Sequence, residues 1–292
     1  MHPQPNPTIG LIGVGAMGMA MAKNLYAHGY PVLARDIRAA AQSEAEAHGI
    51  GASASPRALA EAADLVVIVV VNAEQIDSVL FGPDGVVRGR PRTRTVMLCS
   101  TIAPQDTLSF EQRLAEHGLA TIDAPISGGP ARAAAGTMSI MLAAPAATLA
   151  PWQAVLGDLA AKRFVISDRP GDAAKAKLVN NLLAGINLVA GAEALALAEK
   201  IGLDPRTMFD IIAASSGSSW AFEDRMARAL QDDFAPRAAA HILTKDMTLA
   251  TALAAAAGHA TPLGDAALAK FRETIERGWS ELDDAAVIKS YR

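Results

Sequence analysis

Gly13-Val14-Gly15-Ala16-Met17-Gly18 constrains this chain more than any other segment. The string is G-x-G-x-x-G. It follows an apolar run, Thr8–Ile12, that reads as a buried strand, and it opens a stretch, Ala16–Gly29, with helical spacing. That context separates a phosphate-cradling turn from an ordinary glycine-rich loop. Gly13 permits the tight turn, Gly15 lets backbone approach a pyrophosphate, and Gly18 lets helix pack on strand. Ala16 and Met17 supply first-turn N–H groups at the positive end of the helix. The implied ligand is a dinucleotide held at Gly13, Gly15, Ala16, Met17 and Gly18.

The residue that reads the adenosine ribose is expected about twenty positions on, at the end of the second strand. Asp36 stands there, after the predicted strand Pro31–Ala34. A carboxylate accepts from a 2′-hydroxyl and repels a 2′-phosphate, which favours NAD. Arg35 and Arg38 flank it and leave NADP as the alternative.

The first half continues to alternate. Arg38–His48 reads as a helix, Leu65–Val71 and Thr95–Cys99 as third and fourth strands, Thr121–Asp123 as a short fifth and Met138–Leu142 as a sixth. Strands alternating with helices imply βαβ units and a parallel sheet. From Asp172 onward nearly everything reads as helix. Gly171-Asp172 is a stop followed by an N-cap residue, and the next breaker is Gly202, leaving a helix over about 172–200, some ~42 Å long. Asp204-Pro205 starts another, and Phe222–Leu230, Ala238–Ala257 and Pro262–Arg277 follow. The expected fold class is an α/β Rossmann-type N-terminal domain with a mostly parallel sheet, over 1–168, joined by a long helix to an all-α C-terminal domain over 169–292.

Composition excludes several classes. With 26 Lys+Arg against 30 Asp+Glu there is no basic excess for a polyanion, so no nucleic-acid partner is expected. A hydrophobic content of 51% is too high for a disordered chain. One cysteine, Cys99, excludes an internal disulfide framework, and six scattered histidines show no ligand spacing, so no metal is expected. The longest uninterrupted apolar run, Leu65 to Val71, is strand-sized, so no membrane partner is expected. The apolar N-terminus lacks a basic leader, and His2 to Pro7 reads as a loose tail. A cytoplasmic location is the simple reading.

Further segments carry a resemblance. Gly10 through Gly18 with Met21-Ala22-Lys23-Asn24-Leu25, then Asp123-Ala-Pro-Ile-Ser-Gly-Gly129 with Ala135-Gly136-Thr137-Met138, then Gly171 through Lys177-Leu-Val-Asn-Asn181, and finally Lys245-Asp246, resemble in order the signatures of the β-hydroxyacid dehydrogenases, the 3-hydroxyisobutyrate dehydrogenase-related family. Val71-Asn72-Ala73-Glu74-Gln75, Ser218 to Glu223 and Asp283 to Lys289 resemble its threonate dehydrogenase branch. Ala173 stands where the family usually has a second glycine, and the Asn180-Asn181 pair is closer to hydroxyisobutyrate-type members.

The resemblance implies hydride transfer between nicotinamide and a small hydroxy acid, either a threonate-type sugar acid or 3-hydroxyisobutyrate. It makes Lys177 the general acid/base and Asn181 the group that orients the reacting oxygen. The two lie four residues apart and so share a helix face, and a lysine base needs burial or nearby positive charge. The resemblance assigns the substrate carboxylate to Ser127, Gly128 and Gly129, where a hydroxyl and glycine-exposed N–H groups can hold an anion. It places Thr101, at the end of the fourth strand, and Lys245 near the cofactor. Val71 and Asn72, at the end of the third strand, carry the same argument, because strand carboxyl ends face the ligand in an open parallel sheet. Asp246 reads as structural, and Trp220 and Phe222 as core or pocket aromatics. The alternatives are an NADPH-dependent glyoxylate, succinic semialdehyde or 2-hydroxy-3-oxopropionate reductase of the same family, and a non-catalytic dinucleotide-binding sensor or scaffold. The helical domain implies a homodimer or homotetramer.

Overall fold

The computed structural model describes residues 6–292. The tail reading falls largely on His2–Pro5, outside the described residues. The described chain divides into two compact units, one up to Lys177 and one from Leu178 to Arg292. Sequence reasoning puts the change near residue 168. The difference arises because the first turns of the long helix belong with the sheet.

The first unit holds a sheet of nine strands among the described residues: β1 Ile9–Ile12, β2 Val32–Arg35, β3 Gly51–Ala52, β4 Leu65–Ile68, β5 Thr95–Leu98, β6 Ala120–Asp123, β7 Ile126–Ser127, β8 Ser139–Ala143 and β9 Lys162–Ser167. Their order is β3-β2-β1-β4-β5-β6-β8-β7, with β9 paired to β8. The strands from β3 to β6 pair in parallel, while β6 and β7 meet β8 antiparallel. The mostly parallel Rossmann-type expectation is met. The strands β3, β7 and β9 have no counterpart in the sequence reading. Two of them are two residues long, too short for a period, and β9 is an edge strand with Phe164, Val165 and Ile166 exposed, so it lacks a buried face.

β1, β4 and β5 are buried from end to end, as parallel strands covered on both faces must be. Their alternate side chains feed two cores. Leu11, Leu65, Val67, Met97 and Ile122 lie on one side with Met21 and Leu25 of helix Ala16–Ala27. Ile12, Val66, Ile68, Val96 and Leu98 lie on the other with Ile76, Leu80 and Phe110.

The second unit is helical. Helix Asp172–Lys200 continues into it and is followed by Pro205–Ala213, Trp220–Ala229, Ala240–Ala256, Pro262–Glu276 and a 3-10 helix at Asp284–Ser290. Small residues on the long helix admit large neighbours. A Cβ at Gly185 would lie 2.2 Å from Met247 Sδ, and one at Gly191 would lie 2.6 Å from the Phe222 ring. Helix Asp172–Lys200 also meets the length and composition of a membrane span, with a mean hydropathy of 1.5 in its most apolar window, a feature that a search for uninterrupted apolar runs passes over. Leu188, Ala192 and Leu195 of this helix are buried in the core of the second unit, the position of a core helix.

Candidate functional site

The sheet register brings Gly13 and Asp36 to the same end of the sheet as the ends of β4, β5 and β6. Ile12 pairs with Arg35 and Ile68, Ile68 with Leu98, and Leu98 with Asp123, so Gly13, Asp36, Val69, Cys99 and Ala124 emerge together at the carboxyl ends of the parallel strands.

The glycine loop has the shape a pyrophosphate requires. Gly13 has φ +89°, and its N–H donates to Arg35 O at 2.8 Å. A Cβ at Gly13 would lie 2.5 Å from Val69 O, and one at Gly18 would lie 2.0 Å from Gly13 O. At Gly15, by contrast, the nearest atom to an added Cβ is Arg38 Nη2 at 3.7 Å, so this face stands open. Gly15 caps helix Ala16–Ala27 without a side-chain hydrogen bond, which leaves first-turn N–H groups for an anion. These residues fit a dinucleotide.

Asp36 is buried beside the loop. Its Oδ2 accepts from Val14 N–H at 2.9 Å, and its Oδ1 accepts from Arg38 N–H at 2.9 Å and Arg38 Nε at 3.1 Å. Burial works to raise its carboxyl, but hydrogen bonds and charge from Arg38, with the Val14 N–H, hold it below the usual carboxylate value. The Arg38 side chain itself is largely exposed. Asp36 therefore ties the glycine loop to the second strand and holds an arginine where the ribose-reading group is expected.

Two cofactor-side expectations are corrected in position. β4 stops at Ile68 rather than Val71, so Val71 and Asn72 lie beyond the strand, and Asn72 Oδ1 accepts from Gln75 N–H at 2.9 Å as the cap of helix Ala73–Phe81. β5 stops at Leu98, which puts Thr101 in the following loop, while Ser100 Oγ accepts from Val70 N–H at 3.1 Å and joins the two strand ends. Apolar β-branched residues run past the last ladder bond in the first case, so composition overstates the strand.

Ser127 sits within the two-residue strand β7, opposite Ser139. Gly128 and Gly129 follow with φ +132° and +75°, and a Cβ at Gly129 would meet nothing within 4 Å. A partly exposed hydroxyl thus stands two residues before open backbone at Gly129, while an added Cβ at Gly128 would lie 3.0 Å from Arg132 Cδ.

Lys177 is nearly enclosed, at 6% exposure. The start of its helix is held by a group from the sheet. Asp123 Oδ2, at the end of β6, accepts from Gly171 N–H at 2.7 Å and Ala174 N–H at 3.0 Å. Burial pushes the Asp123 carboxyl up to about 6 against these bonds. Cys99 is buried near it, and burial followed by the Asp123 charge pushes the thiol far up, so this cysteine is inert as the sequence suggests.

In the second unit Asn181 is buried, and its Nδ2 donates to Asp246 Oδ2 at 2.6 Å. Asp246 Oδ1 accepts from Lys245 Nζ at 2.6 Å, and Asn180 Nδ2 donates to Asn181 Oδ1 at 3.0 Å. Asp246, which reads as structural in the sequence, thus joins Asn181 to Lys245. Phe222 is core, stacked on Phe209 with centroids 5.1 Å apart, whereas Trp220 is half exposed at the start of its helix. Among the described residues no cluster of metal-ligating side chains occurs.

Residues 8–167 match the family model described as the NAD binding domain of 6-phosphogluconate dehydrogenase. Residues 171–291 match the NAD-binding domain of NADP-dependent 3-hydroxyisobutyrate dehydrogenase. The L-threonate dehydrogenase of Cupriavidus necator is 38% identical over 284 residues, 97% of this chain and 95% of that protein. The NAD-dependent L-serine dehydrogenase of Pseudomonas aeruginosa is 32% identical over 97% of both. Among solved structures, the 3-hydroxyisobutyrate dehydrogenase of Salmonella typhimurium superposes with a TM-score of 0.91 at 36% identity, covering 98% of this chain and all of that one.

Proposed function

The chain belongs to the β-hydroxyacid dehydrogenase family, and on that premise we propose that it oxidises a small hydroxy acid with NAD, its substrate class being L-threonate-type four-carbon sugar acids. Members of this family are NAD(P)-dependent oxidoreductases acting on a CH–OH group, and so is this chain. The observation that carries the reading of the site is Lys177, buried and one helical turn before Asn181, whose amide is held by Asp246.

When bound, the dinucleotide supplies the hydride acceptor. Gly13, Gly15, Ala16, Met17 and Gly18 would hold its pyrophosphate and Asp36 its ribose, with Val71, Asn72 and Thr101 as further cofactor contacts; the family resemblance assigns Lys245 to the same cofactor. Ser127, Gly128 and Gly129 hold the substrate carboxylate through the hydroxyl and exposed N–H groups. Lys177 takes the hydroxyl proton as the carbonyl forms and returns it in the reverse direction. Burial is the environment in which a lysine amine works as a base. The amide of Asn181, with one N–H engaged by Asp246, donates its other to the reacting oxygen.

The threonate reading is supported by relatives of that name at 35–38% identity. It is also supported by Val71 to Gln75, Ser218 to Glu223 and Asp283 to Lys289, which resemble that branch. The Asn180-Asn181 pair, which is closer to hydroxyisobutyrate-type members, supports 3-hydroxyisobutyrate as the second reading. We place the enzyme in the cytoplasm as a homodimer or homotetramer; sedimentation as a monomer refutes the latter. The experiment is a panel of hydroxy acids with NAD and with NADP, followed at the reduced-nicotinamide absorbance. L-threonate with NAD should give the highest kcat/KM, and Lys177→Ala should bind NAD without turnover. Normal turnover by that variant refutes the catalytic assignment, and NAD binding with no turnover on any acid refutes the substrate class.

A further inference from the structure

We propose that Asp123 is a positioning residue, the sheet-borne carboxylate that fixes the first turn of helix Asp172–Lys200 and so sets Lys177 relative to the Ser127-Gly128-Gly129 loop. The proposal rests on the reading of Lys177 as the acid/base.

Where a side chain caps an α-helix among the described residues, the cap is local. Ser55, Asn72, Asp204 and Ser219 each accept a hydrogen bond from the N–H three residues on, within their own helix. A local cap stabilises a helix without saying where the helix sits. Helix Asp172–Lys200 differs. The residue before it is Gly171, which has no side chain to cap with. The Asp172 side chain is engaged elsewhere, accepting from Ser167 Oγ at 2.8 Å and Lys175 Nζ at 2.7 Å. The N–H groups of Gly171 and Ala174 are taken instead by Asp123, 48 and 51 residues away in sequence. Gly171 adopts φ +95° to present its N–H, and a Cβ there would come within 3.3 Å of Leu108 Cγ and Pro104 O. The positive φ favours glycine here, and the neighbours leave only a tight fit for a side chain.

The same carboxylate lies at the root of the substrate loop. Asp123 ends β6, and Ser127 follows four residues later in β7. One residue, 2% exposed, thus joins the strand leading into the carboxylate loop to the helix bearing the proton-transfer group. Lys177 is three residues past Ala174, about 4.5 Å along the helix axis. At so short a distance a loosened first turn carries Lys177 with it, and a misplacement of about 1 Å in a catalytic constellation can cost ~100-fold in rate. A charge-assisted acceptor holds the turn more firmly than a neutral one.

The test compares Asp123→Ala and Asp123→Asn with the native enzyme, all saturated with NAD. It measures kcat, the NAD dissociation constant, and amide exchange of the segment 168–178 by mass spectrometry. For Asp123→Ala we expect kcat lower by roughly 30- to 100-fold and first-turn exchange faster by about tenfold or more, with NAD affinity within about twofold because the glycine loop is untouched. Asp123→Asn keeps an acceptor of the same shape and should recover about tenfold of the lost kcat. A folded Asp123→Ala enzyme with native kcat, or with native first-turn exchange, overturns the proposal. So does a loss of NAD affinity in step with kcat, which marks general loosening of the unit. If the alanine variant does not fold, Asp123→Asn decides: faster first-turn exchange with reduced kcat supports the proposal, and native values of either refute it. Lys177→Ala separates the two readings. If that variant turns over normally the acid/base assignment fails, while the exchange measurement still judges whether Asp123 holds the helix.

Discussion

Asp246 accepts a 2.6 Å hydrogen bond from the amide of Asn181, 65 positions earlier in the chain, and with its other oxygen takes the Lys245 ammonium. The two candidate residues of the second unit therefore share one buried carboxylate. Removing it frees the Asn181 amide to rotate and leaves Lys245 without this partner.

Asp246→Ala should accordingly lower kcat by about 10- to 100-fold, since hydrogen bonds to charged groups are worth roughly 1.5–3 kcal/mol. Asp246→Asn, which can still accept from Asn181 but lacks the charge for Lys245, should fall between the variant and the native enzyme. Steady-state kinetics with L-threonate and NAD checks this, and equal rates for native and alanine enzymes contradict the positioning of Asn181.

The glycines of the loop should respond differently to the same added methyl. A Cβ at Gly18 would stand 2.0 Å from backbone Gly13 O, so Gly18→Ala forces backbone apart and should lower stability by about 1–3 kcal/mol. A Cβ at Gly15 meets nothing closer than Arg38 Nη2 at 3.7 Å. Gly15→Ala should leave the melting temperature within a few degrees and weaken NAD binding by about tenfold or more, by filling the space the pyrophosphate needs. Thermal melts with NAD titration separate the two outcomes.

On the proposed reading, Asp36 and Arg38 compete to set the cofactor preference, and their ion pair makes that testable. Neutralising the carboxylate in Asp36→Asn removes repulsion of a 2′-phosphate and releases the Arg38 guanidinium from its ion pair. The ratio of kcat/KM with NADP to that with NAD should rise by at least about tenfold. An unchanged ratio in initial-rate assays excludes Asp36 as the discriminator.

Stability should depend on pH through the buried charge network of the second unit. Asp284 accepts from Arg225 Nε at 2.7 Å, yet burial pushes its carboxyl up to about 7, an effect that Arg225 opposes and Asp283 reinforces. A folded-state value above the ordinary 3.8 means that the contribution is full below about pH 4 and is lost as pH rises through about 7. At ~1.4 kcal/mol per unit over about three units, the loss is at most roughly 4 kcal/mol. Urea denaturation at intervals across that window should show this slope, and Asp284→Asn should flatten it.

Part of this architecture is legible in the sequence. The strand before Gly13, the helix after Gly18 and the acid at position 36 are local features, because each depends on residues adjacent in the chain. The signature segments around Asp123, Lys177 and Lys245 were visible for the same reason. Strand ends were less legible. β4 and β5 each stop before the apolar run does, since a ladder ends where its partner ends and not where hydrophobicity ends. β9 could not be read at all, having exposed apolar residues on an edge strand in place of alternation.

Local rules already specify the architecture of each unit and the candidate groups: a G-x-G-x-x-G turn, an acid at position 36, and a lysine and an asparagine one helical turn apart. These follow from steric rules and helical periodicity, which act over a few residues. How those groups are held depends on contacts between distant segments. Asp123 reaches the amides of Gly171 and Ala174, and Asp246 reaches the amide of Asn181, across separations of 48 to 65 positions. No local pattern encodes such a contact, because an aspartate that ends a strand or sits on a helix reads the same whether it faces water or a buried amide. Folding makes the difference by removing the water, which leaves each carboxylate to be satisfied by the N–H groups it now orients.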